Sequence, residues 1–327
     1  MGNMDALLEN EKIAAVIKRL LKNEHTELSV GIIRGDTVKT FEYRKSADPY
    51  YDIGSISKVF TSLMILKASR EGLIRLSDTI DAYLPLTGKR FPTVDGLLKH
   101  RTGYTSFTPW RIVIPRLLRG FARRNIYRGV TNEQVLSSIC KIGYKGNRYG
   151  YSDFSYAVLG MILESAYREP YGVLLERFVR EEFGLNGIKA IDGDWKRKNN
   201  YIRNKQIKNW SWEGENPYVA AGGITVTVDD MLAFMGELIK SDKAYVADAF
   251  AIEEGDEAHN RTFFLSKNRH VYSHIGGAGT FRGCLSINRK HRIAVIVLST
   301  SAGYQKGNVS YLNKMVYNAL RRNKIRL

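Results

Sequence analysis

The stretch Gly54-Ser55-Ile56-Ser57-Lys58-Val59-Phe60 decides how the rest of the chain is interpreted. Ser55 and Lys58 are three residues apart, so they share one face if the stretch is helical. A serine hydroxyl needs an adjacent base to act as a nucleophile. A lysine one turn further on can supply that base if burial and neighbouring groups lower its pKa. The stretch is therefore a candidate for nucleophilic catalysis.

The helix predicted to begin here is apolar around most of its circumference and has a stop at Gly72. Such a helix is buried in a domain core, and its N-terminal amides favour negative charge that develops near Ser55. Serine-x-x-lysine is nevertheless a short pattern that also occurs by chance. A second copy, Ser138-Ile139-Cys140-Lys141, is interpreted as having no catalytic role.

Length and composition indicate a globular protein. A chain of 327 residues has room for one large domain or two closely joined ones. Its content of 44% hydrophobic and 25% charged residues is ordinary for this class, and it has no apolar run of about 18 residues that could span a membrane. Its two cysteines, Cys140 and Cys284, fit neither a metal-ligand spacing nor a disulfide framework. We expect no metal and no cofactor.

Residues 1–22 are predicted to form an amphipathic helix rather than a signal peptide. They contain no uninterrupted apolar core and no small-residue cleavage site. The sequence as it stands predicts a cytoplasmic protein. A secreted or cell-surface location is the alternative if a signal has been removed.

The chain is strongly basic, with a net charge of +17 and a pI of about 9.7. This balance favours association with anionic membrane lipid or wall polymer, although a charge run is more often a solvated face. Residues 96–132 contain no Asp or Glu, and further basic patches lie at 196–208 and 321–326. The arginine-rich segment 109–129 fits a membrane-surface helix, a lid over a cleft or a plain surface helix. No nucleic-acid motif accompanies these residues, so nucleic-acid binding is not expected.

Strand patterns lie near both ends of the chain, with helical patterns between them. The predicted strands are Leu28–Arg34, Val38–Tyr43, Thr262–Leu265, His270–Ser273, Thr280–Asn288 and Ile293–Thr300. Hairpin spacing favours one antiparallel sheet built from both chain ends and flanked by helices, an α/β fold. We predict a discontinuous sheet domain of residues 1–72 and 225–327, with a mainly helical inserted domain of residues 73–224.

A second cluster, Tyr149-Gly150-Tyr151-Ser152-Asp153, enters a predicted helix. Tyr151 is a candidate proton relay beside the serine, with its pKa lowered by a nearby lysine. Asp153 is a candidate partner for Lys58 or for a substrate amide. The alternative interpretation is a packed tyrosine and an aspartate that caps the helix.

A third cluster, His274-Ile275-Gly276-Gly277-Ala278-Gly279, leads into a strand. Glycines at a strand edge allow a substrate backbone to lie close. The amides of Gly277 and Ser55 would then form an oxyanion hole with two donors. A partly exposed His274 at the cleft edge, with a pKa of about 6.5, would attract a substrate carboxylate when protonated. The alternative is a glycine-rich hairpin with an exposed histidine.

In this order, the three clusters resemble the serine penicillin-recognising family: class C β-lactamases, D-alanyl-D-alanine peptidases and related esterases. That family carries Ser-x-x-Lys, then Tyr-x-Asn, then Lys-Thr-Gly or His-x-Gly. The stretches Leu97–Gly103 and Ala221–Ile224 are also similar to the family pattern, so the resemblance covers nearly the whole chain.

The resemblance implies a β-lactamase/transpeptidase-like fold and a serine hydrolase that works through a covalent acyl-enzyme on an amide, β-lactam or ester carbonyl of a small-molecule or peptide substrate. A non-catalytic sensor of wall fragments or β-lactams on the same scaffold is the alternative. The implied site residues are Ser55, Lys58 and Tyr151 for catalysis, and Asp153, His274, Gly276 and Gly277 for substrate binding.

Two departures from the family pattern bear on the substrate. Asp153 stands where many members have asparagine, and an ionised carboxylate cannot donate a hydrogen bond. His274 stands where β-lactamases usually have lysine. The first difference argues against a contact between Asp153 and a substrate carbonyl. The second, His-x-Gly, is more similar to the peptidase and esterase branches, so a peptidase or esterase is favoured over an efficient β-lactamase.

Overall fold

The computed structural model describes residues 5–45, 47–118, 124–191, 198–202, 205–212, 215–256, 258–266, 270–300, 306–325 and 327. Its strands, in chain order, are β1 Leu28–Arg34, β2 Thr37–Tyr43, β3 Tyr51–Asp52, β4 Lys189–Ala190, β5 Asn200–Ile202, β6 Lys205–Ile207, β7 Ile224–Val226, β8 Phe264–Leu265, β9 Tyr272–Ala278, β10 Phe281–Asn288 and β11 Ile293–Ser299. Its α-helices are α1 Glu11–Leu20, α2 Ser57–Arg70, α3 Val94–Leu98, α4 Trp110–Leu118, α5 Asn132–Ile142, α6 Asp153–Tyr167, α7 Tyr171–Phe183, α8 Val219–Gly222, α9 Val228–Lys240, α10 Ala244–Phe250 and α11 Lys306–Arg321. Short 3-10 turns occupy Gly54–Ile56 and Ile80–Ala82.

The main sheet joins the two ends of the chain. Its strand order is β2-β1-β11-β10-β9-β8, and every neighbouring pair is antiparallel. β1 pairs with β11 from Leu28 opposite Ser299 to Arg34 opposite Ile293. The predicted antiparallel sheet from both chain ends is confirmed.

Helices cover both faces of this sheet, so its central strands are apolar on both sides. Val30 and Ile32 of β1 pack on the side of α1 and α11. On the other side Gly31 lies against Leu232 of α9, so closely that an added Cβ would be 2.8 Å from the leucine Cγ. The turn Gly54–Ile56 packs on β9 and β10, which places the start of α2 at the sheet.

Helix α2 is buried around almost all of its circumference, as its composition predicts. Phe60 stacks on Phe234 of α9 with ring centroids 4.4 Å apart. The helix ends just before Gly72, whose φ of +77° suits glycine. The predicted stop at Gly72 is therefore confirmed.

Residues between β2 and β8 are mainly helical, but they also contribute strands. β7 pairs with both β3 and β4, so a small sheet links the predicted sheet domain with the predicted insert. The division into two domains stays a prediction. No helix in the described part of the chain is long and apolar enough to cross a membrane.

Two predicted helices differ in extent from the structure. The helix predicted over residues 1–22 is observed at Glu11–Leu20, capped by the Asn10 side chain, and residues 1–4 lie outside the described residues. In the arginine-rich segment, α4 ends at Leu118, and residues 119–123 again lie outside the described residues. The second basic patch, 196–208, is described only in part.

Candidate active site

Ser55 lies in the middle of the 3-10 turn that precedes α2. Gly54 holds a φ of +52°, which glycine adopts without strain, and this turns the chain sharply into the helix. Ser55 is partly exposed, whereas Lys58 is completely buried. The burial of Lys58 that a lowered pKa requires is therefore observed, while Ser55 precedes the α-helix instead of lying within it.

Lys58 is held by one carboxylate and one carbonyl. Its Nζ donates to Asp153 Oδ1 at 2.5 Å and to the carbonyl of Ala221 at 2.7 Å. Burial lowers the pKa of the Lys58 amine, while the charge and hydrogen bond of Asp153 raise it. The net direction is downward, so the neutral amine that a general base requires is more accessible than in an ordinary lysine.

Tyr151 contacts the nucleophile. A hydrogen bond joins Ser55 to Tyr151, and Lys58 Nζ lies 5.1 Å from the centroid of the tyrosine ring. Burial raises the pKa of Tyr151 well above its ordinary value, Asp153 adds to this, and the bond from Ser55 opposes it. The predicted lowering of the Tyr151 pKa is wrong because desolvation of the phenolate dominates. Tyr151 therefore rests as a neutral phenol that can relay a proton.

Asp153 is engaged on both oxygens. Oδ1 accepts from Lys58, and Oδ2 accepts from the Tyr127 hydroxyl at 2.6 Å. Its backbone amide donates to Ser106 Oγ at 2.9 Å. The predicted pairing with Lys58 is observed, and a substrate contact of Asp153 stays a prediction.

Tyr127 and Ser106 were not identified from the sequence. Tyr127 lies in the arginine-rich segment, where charge rather than aromatic content draws attention. Its ring stacks on Tyr218 with centroids 4.0 Å apart, which fixes the hydroxyl towards Asp153. Tyr127 and Asp153 are 26 residues apart in the sequence, so no local sequence pattern indicates this contact.

The glycine-rich strand lies against the nucleophile turn with no room for side chains. A Cβ on Gly276 would lie 1.8 Å from the carbonyl oxygen of Ile53. A Cβ on Gly54 would lie 2.5 Å from the amide nitrogen of Gly277. This close approach brings Gly277 beside Ser55, as a two-donor oxyanion hole requires. The oxyanion role of these amides stays a prediction.

His274 is buried rather than exposed at the cleft edge. Its side chain is fully enclosed, its Nδ1 lies 3.1 Å from the carbonyl of Ile275, and its ring centroid is 6.4 Å from that of Tyr151. Burial, with His259 and Lys58 nearby, lowers its pKa well below the ordinary value. The predicted partly exposed, titrating His274 is wrong because β9 turns this side chain inward.

Three buried histidines gather behind Tyr151. The ring of His100 is 4.5 Å from Tyr151 and 4.9 Å from His259, and His259 is 6.2 Å from His274. His100 Nδ1 accepts from the Ser152 amide at 3.1 Å, which assigns its proton to Nε2. Within the described residues, the Nε2 atoms of all three histidines are buried without a hydrogen-bond partner. This environment favours neutral rings.

These histidines predict an acid-sensitive fold. Burial lowers the pKa of His259 to about 4 and the pKa of His100 and His274 in the same direction. Below about pH 6.5 the unfolded chain binds more protons than the folded chain. The contribution of these histidines to the free energy of unfolding is therefore fully present above this pH and is lost as pH falls. For each histidine, we expect the decrease in the free energy of unfolding to approach about 1.4 kcal/mol per pH unit as the pH falls well below 6.5.

Urea unfolding at pH 7.0, 6.0 and 5.5 measures this slope. His259→Gln should reduce it, and His291→Gln, which changes an exposed histidine, should leave it unaltered. A free energy of unfolding that is constant over this range would contradict the burial of neutral histidines.

Metal-binding potential is low in the described part of the chain. No group of three or more His, Cys, Asp or Glu side chains there is placed to hold a metal ion. Cys140 and Cys284 are free thiols, and burial raises the pKa of Cys284 to about 12.

Comparisons with known proteins agree on one family. A family model described as Beta-lactamase matches residues 13–313. The D-alanyl-D-alanine-carboxypeptidase/endopeptidase AmpH of Escherichia coli (strain K12) is 26% identical over 217 residues, 64% of this chain and 54% of that protein. Protein flp of Staphylococcus aureus (strain N315) is 19% identical over 326 residues, 91% of this chain and 62% of that protein. The chain thus spans little more than half the length of these relatives.

Solved structures show the same fold. An octameric penicillin-binding protein homologue from Pyrococcus abyssi superposes with a TM-score of 0.75 at 21% identity, over 96% of this chain and 77% of that one. A beta-lactamase/D-alanine carboxypeptidase from Yersinia pestis, complexed with citrate, superposes with a TM-score of 0.73 at 18% identity, over 96% of this chain and 99% of that one. At this identity the likeness establishes the fold alone, and it confirms the predicted β-lactamase/transpeptidase-like architecture.

Proposed function

The chain belongs to the Beta-lactamase family, and from this premise we propose that it is a serine hydrolase that cleaves ester or amide carbonyls through a covalent acyl-enzyme. The observation that carries the proposal is the hydrogen bond between Ser55 and Tyr151 above the buried pair of Lys58 and Asp153. A nucleophile, a proton relay and an amine of lowered pKa then occupy one site.

The acylation step can be written with these groups. Ser55 Oγ attacks the carbonyl carbon, and its proton passes to the Tyr151 oxygen as the phenolic proton moves to the neutral amine of Lys58. The resulting tetrahedral oxyanion is held by the amides of Ser55 and Gly277. Its collapse breaks the bond to the leaving group, which receives the proton back from Lys58 through Tyr151. Water then attacks the acyl-enzyme by the same relay and releases the acid.

Charge in the site supports a neutral acyl donor. His274 is buried with its pKa lowered, and Lys58 Nζ is already paired with the Asp153 carboxylate, which adds negative charge to the site. A substrate carboxylate would gain little attraction from these three groups. We therefore favour a peptidase or esterase over an efficient β-lactamase, with neutral esters and amides preferred to anionic substrates.

A substrate panel tests this function. Hydrolysis of short-chain p-nitrophenyl esters, D-Ala-D-Ala peptides with a free or an amidated C-terminus, and β-lactams should give the highest kcat/KM with a neutral ester or the amidated peptide. Efficient turnover of β-lactams would overturn the proposed preference. Acylation without turnover of any class would favour the alternative, a non-catalytic sensor.

Asp153→Asn is expected to shift the pH dependence of the enzyme. The carboxylate raises the Lys58 pKa against burial, so its removal lowers that pKa further. Activity that depends on neutral Lys58 should then extend to lower pH, and the acid limb of the kcat/KM profile should move down by about one unit or more.

The matched control is Asp248→Asn, which removes the carboxylate of an exposed ion pair with Arg70. Its profile should coincide with that of the wild type. An acid limb that stays in place in Asp153→Asn would show that Lys58 is not the titrating base.

A further inference from the structure

Helix α4 and Phe107, which lies shortly before it in the chain, expose an apolar surface. Ten large hydrophobic side chains of the described chain are exposed, and four of them lie within residues 107–118. The exposed fractions are 45% for Phe107, 61% for Trp110, 38% for Ile114 and 83% for Leu118. Single exposed apolar residues are ordinary, whereas a contiguous group marks an interaction surface. We call these four residues the apolar face.

The apolar face is a property of the helix and not of one side chain. Trp110, Ile114 and Leu118 follow one another at intervals of four, which places them along one side of α4. Val113 lies about 100° around the helix from the middle of this side; it is completely buried and anchors the helix in the core. The helix therefore directs apolar side chains to the core and to the solvent, a pattern that a plain surface helix lacks.

The charge around the apolar face is positive. Residues 96–132 contain no Asp or Glu. Arg111 is exposed on α4, with its guanidinium 5.4 Å from the centroid of the Trp110 ring, and Arg124 is exposed further along the chain. Tryptophan beside arginine on an exposed apolar helix suits the interface of an anionic bilayer.

We infer that the apolar face docks on an anionic lipid bilayer, with Trp110 and Leu118 inserted and the arginines at the headgroups. An anionic wall polymer would satisfy the arginines but would not bury tryptophan and leucine, so the bilayer fits both features. Docking would place the active site next to the membrane. Ser106, adjacent to Phe107 in the chain, binds the Asp153 amide and donates to the Tyr151 carbonyl.

Vesicle binding tests this inference. Sedimentation with phosphatidylcholine vesicles, with and without about 30% phosphatidylglycerol, should show binding only when the anionic lipid is present. Raising salt from about 0.05 to 0.5 M should weaken it. The double change Trp110→Ser with Leu118→Ser should weaken binding at least tenfold. The matched control, Val173→Ser with Tyr311→Ser, changes two exposed apolar residues elsewhere and should bind like the wild type.

Further readouts keep the test decisive. Both double variants should hydrolyse a soluble ester at the wild-type rate, which shows that they fold. Trp110→Phe should retain binding but lose the blue shift in tryptophan fluorescence that insertion produces. Absence of binding to anionic vesicles, or equal binding by the Trp110 and Leu118 double variant, would overturn the inference. Two other results would also overturn it. Concentration-dependent dimerisation that this variant abolishes would assign the apolar face to contact with a second copy of the chain. A raised KM of this variant for soluble esters would assign it to a lid over the active site.

Discussion

Ser55→Ala is expected to lower kcat/KM by about 10³-fold or more, the usual cost of removing a catalytic nucleophile. The hydrogen bond to Tyr151 places this hydroxyl at the start of the proton relay, and alanine has no oxygen to acylate. The same change should abolish covalent labelling by a serine-reactive phosphonate. Intact-mass measurement and peptide mapping of the adduct would locate it on Ser55.

The chain contains its own control for this experiment. Ser138 opens the second serine-x-x-lysine pattern, but it lies on α5, where its hydroxyl donates to the carbonyl of Gln134. Ser138→Ala should leave labelling and turnover unchanged. Labelling that persists in Ser55→Ala, or is lost in Ser138→Ala, would refute the assignment of the nucleophile.

Gly54→Ala is expected to lower kcat/KM by about 10²-fold, the scale of losing one oxyanion donor. A methyl group at this position would lie 2.5–2.6 Å from the amide nitrogen, carbonyl carbon and oxygen of Gly277. Backbone atoms cannot move aside as a side chain can, so β9 and the nucleophile turn must separate. The effect should appear in kcat, because the amides bind the transition state more strongly than the substrate.

Gly88→Ala is the control that distinguishes the steric clash with Gly277 from the strain of placing alanine at a positive φ. Gly88 also has a positive φ, +82°, but an added Cβ would meet nothing within 4 Å. This variant should lose stability and keep its kcat. If Gly54→Ala retained wild-type kcat, the amide of Gly277 would not belong to the oxyanion hole.

Local elements of the fold were predictable because their signals lie a few residues apart. Helix α5 begins at Asn132, where Thr131 and Gln134 form a capping box that can be identified from the sequence. Helix α9 begins at Val228 and is likewise capped by the side chain of the preceding residue, Thr227. The hairpin of β1 and β2 turns at Gly35, whose φ is +60°. Hydrophobic alternation, helix caps and turn residues depend on residues that are neighbours in the chain, and tertiary contacts did not override these local preferences here.

The extent of β9 was missed for a physical reason. The sequence predicts a strand that ends at Ser273, because the glycines that follow have low strand propensity. The structure continues the strand to Ala278, where Gly276 pairs with Gly283 and Gly277 with Arg282. Pairing with β10 and contact with the nucleophile turn favour residues without side chains, so packing overrides propensity.

By itself, the sequence determined the nucleophile pattern, the buried helix behind it, the sheet from both chain ends and, through the order of its three clusters, the family. Only the tertiary structure decided what surrounds Ser55. Lys58 meets Asp153 across 95 residues of sequence, Tyr127 holds the second oxygen of that carboxylate, and His274 turns inward and stays neutral. Helix caps and strand patterns are encoded by residues close in the chain. Desolvation and charge pairing depend instead on which distant segments pack together, and desolvation and charge pairing set the pKa values at the site.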